Sequence, residues 1–151
     1  MSENLDSGAV AAGRVLERLD EAECLRLISP GGMGRIAYSG RYDLTVLPVN
    51  YKMHNGAILF RTADDSLTGE DLRTGIRNAE YRVAFEVDKF DHQAREGWSV
   101  LVQGPAHHLD SAEEHAAALA AGVEPWPAGA RDHFIAVTPA RVTGRRIGAA
   151  S

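Results

Sequence analysis

An Asn-Gly pair at positions 55 and 56 separates two apolar, β-rich runs within residues 44–62. Asn-Gly is the strongest short-range hairpin signal, because a type I′ turn needs φ > 0 at both central residues. This segment is therefore committed to antiparallel pairing. The second run leads into Arg61-Thr62-Ala63-Asp64-Asp65-Ser66-Leu67-Thr68, which is rich in hydroxyls and carries a cation. A strand that runs into hydrogen-bond donors just before a helix is suited to hold a phosphate.

The rest of the chain is compatible with a sheet built around this hairpin. At 151 residues, with 44% hydrophobic content, one domain with an ordinary core is expected. The formal charge of −5 argues against a nucleic-acid module. Cys24 is the only cysteine, which leaves no internal disulfide and no cysteine-based zinc site. Its place in a helical pattern predicts a buried, inert thiol, and a reducing, cytoplasmic setting is expected. The first seven residues are acidic and polar, unlike a signal peptide. No apolar run approaches the ~20 residues needed to span a bilayer.

Residues 1–13 read as a mobile tail ahead of a domain over residues 14–151. Asp20-Glu21-Ala22-Glu23 reads as a capping box, opening a helix that Ser29-Pro30-Gly31-Gly32 ends. Strands are predicted at 34–39, 43–50, 57–62, 81–88, 97–109, 133–138 and 141–147. A bend or bulge is expected at Gly104-Pro105. Helices are predicted from Ser66 to about Asn78, and from a second capping box at Ser111 to Ala121, where Gly122 stops it. The strand links are too short for parallel crossovers. The expected fold is mainly β: six or seven largely antiparallel strands in a barrel or sandwich.

Most candidate chemistry has a bland explanation. His107 and His108 are adjacent on a strand, so they point to opposite faces and cannot easily share a metal. His54 is placed in the turn, in water. No metal site is expected. No Gly-x-Ser-x-Gly elbow is present. Asp64, Asp65, Glu70 and Asp71 read as a solvated loop and a helix start. Arg61, Thr62, Ser66 and Thr68 gather a guanidinium, hydroxyls and helix N-terminal amides, which suits a phosphate. The alternative is a polar strand end with Ser66 as an ordinary N-cap. Trp126, between two prolines, reads as the wall of a planar-ligand cleft or of a subunit contact. Arg145 and Arg146 read as a pair on alternate faces, one of which could reach a site. Arg131 is assigned no role.

Several segments together resemble the pyridoxamine 5′-phosphate oxidase-like flavoproteins, which have an FMN-binding split barrel. The resemblance lies nearest a small bacterial branch that includes nitroimidazole-resistance-like proteins. The matching segments are Gly34 to Ala37, Leu47 to Tyr51, Leu59 to Thr62 with Ser66, Val83 to Asp88, Gly97 to Gly104 and Val142 to Arg146. The resemblance covers roughly residues 14–147 and implies a homodimer with FMN at the subunit interface. It sets Pro48, Val49 and Asn50 along the ring. Phe60, Arg61, Thr62, Ser66 and Thr68 are set at the phosphate, and Trp98 and Ser99 beside the ring. It implies a flavin-dependent oxidoreductase acting on an unidentified small molecule. Thr68 stands where family members commonly carry a phosphate-gripping lysine. The longer C-terminal Trp and Arg elements of the true pyridoxamine phosphate oxidases are not evident. A dissociable deazaflavin coenzyme and a non-catalytic ligand-binding role are the alternatives. Substrate-shaping loops are expected at 88–97 and 122–132.

Overall fold

The computed structural model describes residues 14–40, 43–62, 81–109, 112–122 and 133–149. The predicted helix from Ser66, the second capping box at Ser111, Trp126, Arg131 and most of the 122–132 loop lie outside these residues. The elements are β1 (Arg14–Leu19), α1 (Glu21–Ile28), β2 (Gly32–Gly40), β3 (Asp43–His54), β4 (Ala57–Thr62), β5 (Tyr81–Asp91), β6 (Glu96–His108), α2 (Ala112–Ala120), β7 (His133–Val137) and β8 (Arg141–Ala149).

Every strand pairing is antiparallel, and six strands close on themselves in the order β6-β5-β2-β3-β4-β7. The closure splits along one edge of β6. Its first half pairs with β8, from Gly97↔Ile147 to Gln103↔Arg141. Its last residues, Ala106 to His108, pair instead with β7. The handover falls at Gly104-Pro105, where a bulge was expected. There is none on the β5 side: the ladder runs without interruption from Tyr81↔Ala106 to Asp91↔Glu96. Instead the main chain after β7 comes in close. The N–H of Thr138 donates to the Pro105 carbonyl, and a Cβ on residue 104 would lie 2.0 Å from the Thr138 carbonyl oxygen.

The Asn-Gly hairpin forms as expected, with φ of 51° at Asn55 and 78° at Gly56, and with His54 facing Ala57 across it. His54 itself is a correction. It is the last residue of β3 and half-buried, with its Nε2 3.3 Å from Asn55 Nδ2. A second correction is β1, which residue patterning did not suggest. It pairs along its whole length with β8, so the described residues hold the closed six-stranded barrel and two further strands. The 88–97 loop also contracts to a turn at 92–95, because β5 and β6 each run further than expected.

Inside the barrel, Ile36, Tyr51, Ile58, Phe60, Val83, Phe85, Val100, Val102, Ile135 and Val137 are buried in one cluster. The Tyr51 hydroxyl donates to the Ile28 carbonyl at 2.8 Å, and burial pushes its pKa up to about 12. That bond ties α1 to the barrel. Asp20 caps α1, its carboxylate accepting from the Glu23 N–H at 2.8 Å. The reciprocal half of the capping box is replaced, because the Glu23 carboxylate faces Arg26 and Arg146. Cys24 is fully buried against β8, with its thiol pushed up by burial and by the nearby Asp20, Glu23 and Glu21 carboxylates. A raised thiol pKa means little thiolate, as an inert cysteine requires. No helix among the described residues is long and apolar enough to cross a membrane.

Candidate functional site

Strand alternation sorts the expected site residues onto two sides of the barrel wall. Pairing of Tyr51 with Phe60, both buried, sets the inward register of the hairpin. The preceding Asn50 and the following Arg61 therefore share the outer face, as does Pro48. On β6, Val100 points inward, so Ser99 joins that outer face. Val49, Phe60 and Trp98 point the other way, into or against the core. Phe60 is fully buried, so its contribution to a ligand is limited to its main chain. Thr62 pairs with His133 at the end of β4. Ser66 and Thr68 lie outside the described residues.

The outer face carries an uncovered apolar strip. Leu44 is 80% exposed and Val46 62% exposed, and Pro48 is exposed beside them. Large apolar side chains left in water at this level mark a surface that something covers. Beside the strip runs a groove of about 460 Å³, lined in part by Ala37, Leu44, Val46, Ala84 and Gln103. Arg61 stands one strand away from Asn50, half-buried, its guanidinium 5.0 Å from the centre of the Phe134 ring. Stacking on an aromatic face holds a guanidinium in place, and a guanidinium is the side chain suited to fork onto an anion. Arg146, by contrast, is drawn to the inner side, where it donates to Glu23 at 3.0 Å. Its neighbour Arg145 is exposed on the outer face beside Ser99.

A family model, pyridoxamine 5′-phosphate oxidase, matches residues 20–146. The chain belongs to this family. An uncharacterized protein of Mycobacterium tuberculosis is 31% identical over 136 residues, which is 90% of this chain and 88% of the relative. A Corynebacterium glutamicum structure described provisionally as a pyridoxamine 5′-phosphate oxidase superposes with a TM-score of 0.72 at 24% identity. It covers 90% of this chain and 96% of its own. A structure described as the FAD binding protein from Mycobacterium smegmatis gives a TM-score of 0.67 at 29% identity. The coverage is 86% of this chain and 96% of that one. The split barrel of the family is thus the fold of this chain.

One group on the family fold was not singled out from the sequence. Arg35 on β2 reaches across to β5, where its Nη1 donates to Glu86 Oε1 at 3.2 Å and to Asp88 Oδ2 at 3.3 Å. Partial burial pushes the Glu86 carboxyl up to about 7, helped by the hydrogen bond and charge of Asp88 and opposed by Arg35. Alternation along β2 and β5 gave each residue an outward direction. Nothing local in the sequence paired strands some fifty residues apart. Among the described residues no group of three His, Cys, Asp or Glu side chains is placed to hold a metal ion.

Proposed function

We propose that this chain is a flavin-binding oxidoreductase that works as a homodimer, with FMN on the outer face of β3. The observation that carries this is the exposed Leu44-Val46-Pro48 strip lying one strand from the stacked Arg61 cation. The strip suits a planar, apolar ring, and the guanidinium suits the phosphate at the other end of the same molecule. Family membership and the FAD-binding neighbour support the choice of a flavin over other planar anions. That neighbour also makes FAD the second reading.

When bound, the flavin supplies the electron or hydride transfer. The protein orients it. Pro48 and Asn50 back the ring, Ser99 offers a hydroxyl on the same face, and Arg61 holds the anionic tail. A second copy covering the strip would keep water from the ring.

Purified protein is expected to be yellow, with absorbance near ~450 nm released on denaturation. The mass of the released compound distinguishes FMN from FAD. A colourless protein that binds a deazaflavin coenzyme and no flavin would overturn the assignment. Arg61→Ala is expected to weaken FMN binding by about tenfold, as for loss of one charge-assisted contact. An unchanged dissociation constant would place the phosphate elsewhere.

A further inference from the structure

Arg35, Glu86 and Asp88 lie in the middle of the outer face rather than at its edge. Glu86 and Asp88 are two residues apart on β5, so their side chains stand side by side. Both carboxylates grip one guanidinium nitrogen. With both ionised the cluster carries a net negative charge, and with one protonated it is neutral. The surroundings add little compensation. On β6, Leu101 faces Glu86, with uncharged Ser99 and Gln103 in the adjacent rows. On β2, Arg35 is flanked by Met33 and Ala37 on its own side of the strand. The next outward residues of β5 are Ala84 and the exposed Arg82. One strand further, β8 carries Arg145 beside Ser99, and Arg141, which donates to Gln103 at 3.0 Å.

The register puts this cluster in line with the proposed ring site. Pro48, Arg35 and Glu86 face one another across β3, β2 and β5. Two interstrand steps span about 10 Å, so a tricyclic ring laid across the strands from Pro48 covers Arg35 and reaches Glu86.

We propose that Arg35, Glu86 and Asp88 form a proton-linked floor to the flavin face, so that binding a flavin nucleotide is coupled to uptake of a proton by the Glu86–Asp88 pair. This rests on the flavin assignment made above. Covering Glu86 with a ring removes water from it, and removing water favours the neutral acid. The negative phosphate acts in the same direction. The pair therefore holds its proton more tightly in the bound state than in the free state. Affinity is then greatest at low pH and falls as pH rises through about 7, where free Glu86 loses its proton. Loss of one linked proton weakens binding by up to about tenfold per pH unit.

The test titrates FMN into full-length protein by fluorescence quenching, between mildly acidic and mildly alkaline pH, using wild type, Glu86→Gln and Asp88→Asn. Calorimetry in two buffers of different ionisation heat counts the protons. Riboflavin, which lacks the phosphate that itself titrates near about 6, serves as the control ligand. Wild type is expected to take up a proton and to bind about tenfold more weakly at one pH unit above the midpoint. Glu86→Gln should lose the pH dependence of binding, with no proton uptake when riboflavin binds. Asp88→Asn should move the midpoint to lower pH, because the like charge is gone. Binding with the same pH profile in wild type and Glu86→Gln overturns the coupling while leaving the flavin assignment standing. No flavin binding at any pH overturns both. Carbon-13 NMR of the glutamate carboxyls reads the free protein separately. The signal absent in Glu86→Gln should titrate near about 7, and a midpoint in the ordinary carboxylate range overturns the proposal without any ligand.

Discussion

Glu23 shows how one side chain can be drawn away from its local role. A capping-box glutamate normally reaches back to the helix start. Here Arg26 and Arg146 hold it at 2.6 and 3.0 Å, and their hydrogen bonds lower its carboxyl from 4.5 to about 2. A carboxyl lowered on folding adds stability above its unfolded value, and that stability is lost as pH falls toward the folded one. Glu23→Gln should therefore lower the melting temperature at neutral pH. The gap should close between pH 4.5 and about 2 in thermal melts followed by circular dichroism. A constant gap across that range would mean that the ion pairs contribute nothing. Exposed pairs are individually weak, so the shift should be small. At this scale the sequence was legible for Asp20, Cys24 and the Asn55-Gly56 turn, whose roles are set within a few residues. It was not legible for Glu23, because Arg146 lies 123 positions away, or for the Arg35 cluster, which needs β2 and β5 brought together.

Elements were readable where their own periodicity or turn chemistry declared them. The β3–β4 hairpin, α1 and the long β6 all stand close to where residue patterns placed them. β1 was missed because it is short and its neighbour β8 is at the other end of the chain. How α1 docks on the sheet was equally hidden. The contact needs Gly144: a Cβ there would lie 2.6 Å from Cys24 Sγ and 2.9 Å from the Ser99 carbonyl oxygen. The carbonyl oxygen cannot retreat without moving β6, and the sulfur only by turning its side chain within a buried site. Gly144→Ala should cost about 1–3 kcal/mol, in the range for overpacking a filled core. Adding Cys24→Ala should recover part of that loss, since it removes the sulfur, but the Ser99 carbonyl still opposes the new methyl. Urea unfolding of the two single variants and the double variant gives the coupling directly. Strict additivity would mean that α1 does not sit on β8 at this point.

Among the described residues, the barrel closes around an apolar interior and leaves the Leu44-Val46-Pro48 strip exposed outside it. The inside was legible, because alternation of buried and outward residues fixes which side of each strand faces in. What covers the outside is not contained in one chain's pattern, since covering needs a ligand, a second copy or both. The homodimeric flavin assignment ties these two together in a way that dilution can expose. If the ring lies between two copies, flavin binds the dimer and not the lone subunit, so each drives the other by mass action. Flavin held at about 100 times its dissociation constant adds about 2.7 kcal/mol per site to the dimer. That corresponds to roughly a hundredfold tighter association per site. Sedimentation of serial dilutions, followed at both protein and flavin absorbance, should show flavin leaving in step with dimer dissociation. Saturating flavin should move that dissociation to lower protein concentration. Flavin that stays with a sedimenting monomer would break the link, and would mean that Pro48, Asn50 and Arg61 of one protomer hold the ring without help.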